Sequence, residues 1–195
     1  MTFATPSLAP TTLSAEGLLL RPLRESDEPA VAEALRDADI LRWAAGHATV
    51  RAPVHERAAV WLRSRISGWA AGDAYFAVTD GTTGEFHGAL GVREINRLPD
   101  QAVVGYWVTP RSRGRGVART ALDTAAGWAL AAPEDGGLGV HRISLDHVES
   151  NVASCRVAVA AGFRPEGVMR DYFKEPSGRR HDAHLHARLA AGRPE

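Results

Sequence analysis

The sequence predicts an α/β domain built on a mixed sheet, and three observations carry that expectation. The middle of the chain holds three short β-branched or aromatic runs separated by turn residues, the pattern of an antiparallel meander. A helical stretch and a further strand follow with no tight hairpin between the strands, so a crossover and a parallel pair are required. Two more extended runs around a polar turn close the chain.

Composition sets the outer bounds. With 195 residues, 45% of them hydrophobic and 24% charged, the chain matches one ordinary folded domain. A chain of this length buries roughly 70% of the surface that its unfolded form exposes, so its core needs no staples. Its single cysteine excludes an internal disulfide in any case. The 23 basic and 23 acidic side chains cancel, which removes the positive field of a general nucleic-acid or membrane-surface binder. No apolar run approaches the roughly 20 residues of a membrane span, and no basic residue precedes Arg21 to start a signal peptide. A cytoplasmic protein with no nucleic-acid and no membrane partner is expected.

Taken in order, residues 1–17 are rich in Pro, Thr, Ser and Ala without a period, and read as a flexible arm ahead of a single domain over 18–190. LLLRPL (18–23) is the first strand, placed at an edge by Pro22. Ser26 caps a helix that presents Val31, Ala34 and Leu35 on one face. A loop over about 43–53 leads to a second helix from about Val54 to Ala71. There Ala58, Trp61, Leu62, Ile66 and Trp69 recur at helical spacing, and Gly72 is the stop. The meander strands are 74–80, 86–95 and 102–109, the last ended by Pro110. A helix over 116–131, a strand over 141–148 and a helix over 151–162 form the crossover unit. The runs FRPEGVMRDYF and HDAHLHARL around PSGRR form the closing hairpin.

The stretch 105–130 carries the most chemistry. Arg111, Arg113, Arg115 and Arg119 fall within nine residues without an acid, and Gly114 and Gly116 stand where a strand passes into a helix. Glycines allow backbone N–H groups to turn inward, the helix start adds its positive dipole end, and guanidinium groups neutralise an anion, so the stretch outlines a phosphate cradle. The common nucleotide motifs do not fit it. A dinucleotide fingerprint needs a third glycine where Arg119 stands, and a Walker loop needs Gly-Lys-Ser/Thr, which is absent.

RSRGRG (111–116), preceded by GYWVTP, resembles the Q/R-x-x-G-x-G/A pyrophosphate motif and lead-in strand of the GNAT superfamily of N-acetyltransferases. NVASCRVAVAAGFRPEG (151–167) is similar to the N-x-x-S and G-F-x-x-E-G segment of its branch typified by ribosomal-protein N-terminal acetyltransferases (RimJ/RimL-like). ILRW (40–43) and GRRHDAHLHARL (178–189) share the look of that branch, so the resemblance covers nearly everything after residue 17.

The resemblance implies a mostly antiparallel mixed sheet of about seven strands, with helices on both faces and two central parallel strands splayed to admit the pantetheine arm of acetyl-CoA. Gly105 suits this arrangement, since a strand glycine marks a bulge or a close backbone approach. By the same resemblance the backbone of Val108 pairs with pantetheine. Arg113, Gly114, Arg115, Gly116, Val117, Ala118 and Arg119 receive the pyrophosphate. Asn151 contacts the pantetheine arm or simply caps its helix.

The implied activity is acetyl transfer from acetyl-CoA directly to a primary amine, either a protein N-terminus or a small-molecule amine. Ser154 is the implied proton donor to the departing thiolate, with Tyr172 a poorly matched substitute. The base has no clear counterpart. The position where some relatives carry a glutamate is Phe173, flanked by Asp171 and Glu175, and the Glu of a Glu-x-Gly-Tyr strand is Val103. Glu94 is the preferred carboxylate, and Asp146 and His147 are its rivals. Trp43, Tyr106 and Trp107 are candidate walls of an acceptor pocket, with core packing as the competing role. His184 and His186 share a strand face but make an incomplete metal site, and Cys155 reads as a packed helix thiol, so no metal is expected. A homodimer is left open. The alternative reading is a non-catalytic acyl-CoA-binding sensor, which the missing base favours.

Overall fold

The computed structural model describes residues 8–95 and 99–191. Part of the expected arm and part of the turn after residue 95 lie outside them. Eight strands form one sheet in the order β1-β2-β3-β4-β5-β6-β8-β7, antiparallel throughout except between β5 and β6. The eighth strand comes from the arm. β1 (Leu13–Ala15) pairs with β2 (Leu18–Pro22) through a two-residue turn at Glu16 and Gly17, both at positive φ, of 49° and 80°. Such a turn matches the twist of a hairpin, and Glu-Gly is its only sequence mark. The ordered body therefore begins before Leu18. It also follows that β2 is not the edge strand, and Pro22 is accommodated as its last residue.

Four short helices follow: α1 (Glu28–Ala34), α2 (Ala38–Trp43), α3 (His47–Arg51) and α4 (Arg57–Ile66). Ser26 is not a cap. It sits in a 3-10 turn, Glu25–Asp27, and Asp27 precedes α1 while its carboxylate accepts from the Arg24 N–H at 2.9 Å and from the Arg21 guanidinium at 2.6 and 2.9 Å. The segment expected as a loop contains α3, because the Arg57 side chain donates to the carbonyls of Val50 and Ala52 and so satisfies the end of a one-turn helix. The helix expected over 54–71 is α-helical only in α4, with 3-10 turns on either side, and Gly72 ends the segment at φ 85° as its type predicts.

β3 (Ala74–Asp80), β4 (Phe86–Arg93) and β5 (Gln101–Val108) form the meander. α5 (Val117–Leu130) crosses over to β6 (Arg142–Val148), α6 (Val152–Ala160) follows, and β7 (Arg164–Lys174) and β8 (Arg180–Leu189) close the chain, with β8 inserted beside β6. Strand alternation divides the core between two faces. Ala102 and Val104 of β5 and Ile143 and Leu145 of β6 meet Ala121, Leu122, Ala125 and Ala158 of α5 and α6. Ala89 and Trp107 meet Val31, Ala58, Trp61 and Leu62 of α1 and α4 on the other face.

One feature of the sheet positions the site. β5 pairs with β6 only where Gln101, Ala102 and Val103 face Arg142, Ile143 and Ser144, although the strands continue to Val108 and Val148. Beyond Val103 they part. Gly105 is not a bulge, because the register with β4 runs unbroken through Gly91↔Gly105 and Leu90↔Tyr106. A Cβ on Gly105 would stand 3.4 Å from the Arg93 guanidinium, so the glycine leaves that side chain room on the sheet face.

Candidate active site

The gap between β5 and β6 opens into a cleft of about 1380 Å³. That is more than the roughly 300–1,000 Å³ typical of a pocket for one small molecule, and it leaves room for two reactants. Both faces of the sheet contribute to it. The Thr109 N–H donates to the His87 carbonyl on β4 at 2.8 Å. Backbone groups alternate along a strand, so those of Val108 and Tyr106 turn the other way, toward the gap.

At one mouth of the cleft lie Arg113, Gly114, Gly116, Val117, Ala118 and Arg119. Gly114 (φ 72°) and Gly116 (φ 79°) hold left-handed conformations that other residues adopt at a cost. Gly116 precedes α5 without any side-chain cap, so the first N–H groups of a fourteen-residue helix stay free for an anion. The arginines divide. Arg111 pairs with Glu85 at 3.3 Å and Arg113 with Asp37 at 2.8 Å, whereas Arg119 has no acidic partner among the described residues. Arg115 borders an adjoining hollow with Glu16, Asp80 and Thr120, which shares Gly116 and Val117 with the cleft.

Asn151 and Ser154 enter from α6. The Asn151 Oδ1 accepts from the Ser154 N–H at 3.1 Å, so this residue does cap the helix while also lining the cleft. Ser154 Oγ lies 3.0 Å from the hydroxyl of Tyr106. Burial pushes the Tyr106 phenol up to about 12, even though the Ser154 hydrogen bond works against that rise. Tyr106 thus sits beside Ser154 on the face of β5 that packs on α5 and α6, where it also lines the cleft.

The other aromatic candidates separate as well. Trp107 is buried, its ring 5.5 Å from Trp61 and 5.9 Å from Phe86, so it packs in the core while one part of it reaches the cleft lining. Trp43 lines the cleft, its ring 5.2 Å from both Phe173 and His181 and 4.3 Å from the Arg42 guanidinium. Nearby, Arg65 lies 4.1 Å over the Trp61 ring, and burial pulls its guanidinium down to about 10.

Asp146 and Glu94 both line this part of the cleft. Burial raises the Asp146 carboxyl above its ordinary value and the Glu94 charge adds to the rise, against Arg93 and His147. Glu94 is exposed, at φ 55° just past β4, with its N–H donating to Asp73 at 2.8 Å. Glu175 is no rival base. The Arg42 guanidinium (2.8 and 2.9 Å) and then His181 hold its carboxyl down to about 2, and this clasp ties α2 to the β7–β8 hairpin.

The clasp predicts an acid-sensitive contribution to stability. A carboxyl whose folded pKa lies below its unfolded value, here near 4.5, stabilises fully above that value and loses the effect as pH falls toward about 2. Glu175→Gln is therefore expected to lower the melting temperature at pH 7, with the two melting curves converging as the pH approaches 2. Equal melting temperatures at pH 7 would show that the clasp contributes nothing.

The family model described as "Acetyltransferase (GNAT) domain" matches residues 17–164. Comparison with curated protein sequences finds no match. Among solved structures the chain is similar to Mycobacterium smegmatis RimJ in complex with a CoA-disulfide, at 26% identity and a TM-score of 0.75 over 95% of this chain and 89% of that one. It is similar in fold to a ribosomal-protein-S5-alanine acetyltransferase from Vibrio fischeri, at 21% identity and a TM-score of 0.75 over 94% and 100% of the two chains. RimL, a ribosomal L7/L12 alpha-N-protein acetyltransferase in complex with coenzyme A, gives 20% identity and a TM-score of 0.75 over 92% and 98%.

Proposed function

We propose, from the premise that this chain belongs to the GNAT acetyltransferase family, that it moves an acetyl group from acetyl-CoA directly to the primary amine at the N-terminus of a peptide or protein. The observation that supports this best is the single cleft through the splayed β5–β6 pair. Its lining takes in the glycine–arginine turn ahead of α5 as well as Asp146 and Trp43. Relatives named as ribosomal-protein acetyltransferases support a protein acceptor. A small-molecule amine is the competing acceptor.

In this reading the free N–H groups of Val117, Ala118 and Arg119, with the Arg113 and Arg119 side chains, hold the pyrophosphate. The exposed backbone edge at Tyr106 and Val108 pairs with the pantetheine amides, and the amide group of Asn151 reaches the same arm. Acetyl-CoA supplies the activated acyl carbon. Asp146 takes a proton from the ammonium form of the acceptor, and Glu94 beside it keeps that carboxylate basic. The neutral amine then attacks the thioester carbonyl, and a backbone N–H of β5 steadies the oxyanion. Ser154 gives a proton to the departing thiolate and draws on Tyr106 behind it. Trp43 walls the acceptor side. With Asp146 as a base, the sensor reading loses the observation that favoured it.

The test pairs binding with turnover. Acetyl-CoA at about 100 times its dissociation constant adds about 2.7 kcal/mol, a rise of roughly 5–11 °C in melting temperature for a domain of this size, whereas ATP and NAD are expected to give none. Release of CoA is then followed with N-terminal peptides and with small amines. No shift with acetyl-CoA defeats the cofactor assignment, and a shift without turnover on any amine revives the sensor reading.

A further inference from the structure

His184 and His186 alone make an incomplete pair, but the fold adds to them. β6 runs antiparallel to β8 with His147 directly opposite His184, which puts the two side chains on one face of the sheet. α6 lays Cys155 over that same face, with Sγ 3.7 Å from His186 Nε2. The His147 ring stands 5.5 Å from His184 and 5.1 Å from His186. One coordinating atom from each of His147, Cys155 and His184 lies within 4.8 Å of the other two.

This cluster is poorly explained as packing. Buried polar atoms are normally hydrogen-bonded, yet His147 Nε2 and His186 Nδ1 are buried without a partner among the described residues, on side chains 7% and 1% exposed. His147 Nδ1 lies 3.0 Å from the carbonyl of Val148. A carbonyl only accepts, so Nδ1 carries the proton and Nε2 presents a bare lone pair. An imidazole anchored this way on one nitrogen and bare on the other has the orientation of a metal ligand.

We propose that His147, Cys155 and His184 form a site for a divalent cation of the zinc class, with His186 donating a hydrogen bond to the Cys155 sulfur. One thiolate and two imidazoles suit zinc and its borderline-soft neighbours, and exclude magnesium and calcium, which need oxygen ligands. Tetrahedral zinc at ordinary bond lengths spaces its ligand atoms roughly 3.3–3.8 Å apart. The cluster closes to that spacing by about 1 Å, through rotation of the half-buried Cys155 and His184 side chains. The Glu149 carboxylate, 3.9 Å from His184 Nε2, stands ready to hold that ring. Binding displaces the Cys155 thiol proton to solvent and leaves a fourth position for water. The metal would fasten α6 to β6 and β8 immediately behind Ser154, and the site stands whether or not the chain transfers acetyl groups.

The test uses full-length, tag-free protein, stripped with a chelator under a reductant and titrated with Co²⁺ and then Zn²⁺. One Co²⁺ per chain is expected, with the visible bands of a tetrahedral site, a thiolate-to-cobalt charge-transfer band in the near ultraviolet, and displacement by one Zn²⁺. Cys155→Ser is expected to abolish the charge-transfer band. His184→Gln is expected to weaken Zn²⁺ binding by more than about 100-fold, beyond the effect of losing an outer-shell partner. Both residues are half-buried, so both variants are expected to fold, as circular dichroism would check. Uptake well below one equivalent, or a Co²⁺ spectrum without the charge-transfer band in the unsubstituted protein, overturns the proposal. So does a charge-transfer band that survives Cys155→Ser.

Discussion

Asp146→Asn is expected to lower kcat by about 100- to 10,000-fold, the usual worth of a general base, while acetyl-CoA affinity stays unchanged. The carboxylate sits on the half of β6 that has left β5, and burial lifts its pKa above its ordinary value. The sign of the pH effect follows. The base works only when ionised, so kcat/KM should fall as pH drops through the raised Asp146 pKa, with the acid limb lying above that of an ordinary carboxylate near 3.8. Glu94→Gln removes the neighbouring like charge and should move that limb to lower pH. Full kcat in Asp146→Asn, or an acid limb indifferent to both substitutions, would place the base elsewhere.

The same residue links activity to stability. A carboxyl whose folded pKa is raised contributes stability below its unfolded value and loses it as pH rises through the folded one. Above that folded value the fold carries this charge at a cost, and there Asp146→Asn should melt at the same temperature as the parent or higher. An inactive variant that is not destabilised would separate a functional carboxylate from a structural one.

The second large effect is expected at the Tyr106–Ser154 pair. Ser154→Ala should lower kcat by about 100-fold and Tyr106→Phe by about 10- to 100-fold, with the KM for acetyl-CoA little changed, since the lost interaction matters only as the thiolate departs. The two hydroxyls are 3.0 Å apart, and the phenol holds its proton to about pH 12, as the proposed two-hydroxyl relay requires. The double variant should therefore lose little beyond the worse single one. Losses that multiply would mean that the hydroxyls act independently, and undiminished turnover in Ser154→Ala would remove serine as the proton donor.

The parts of the site that were legible in the sequence are those set by forces acting over a few residues. Gly114 and Gly116 mark positive φ angles, the run from Val117 onward marks a helix start with free N–H groups, and Asn151 marks a cap three residues before Ser154. Alternation along β5 also separates its two aromatic residues. Tyr106 shares parity with Ala102 and Val104, so it belongs with α5 and α6, while Trp107 shares parity with Val103 and Gly105 on the other face.

The sequence by itself determined the fold class, the glycine turn ahead of α5, the two-faced sheet and the family. Each is written in local periodicity, turn chemistry or a contiguous motif. Tertiary structure alone decided that Ser154 meets Tyr106 across 48 positions and that Glu175 belongs to Arg42 across 133. It alone decided where β5 and β6 part, and so which carboxylate lies in the gap, and it gathered His147 and Cys155 around His184. The reason is physical. These contacts depend on strand order, register and the angle at which a helix crosses the sheet, which are set by how the whole core packs and by no short stretch of chain.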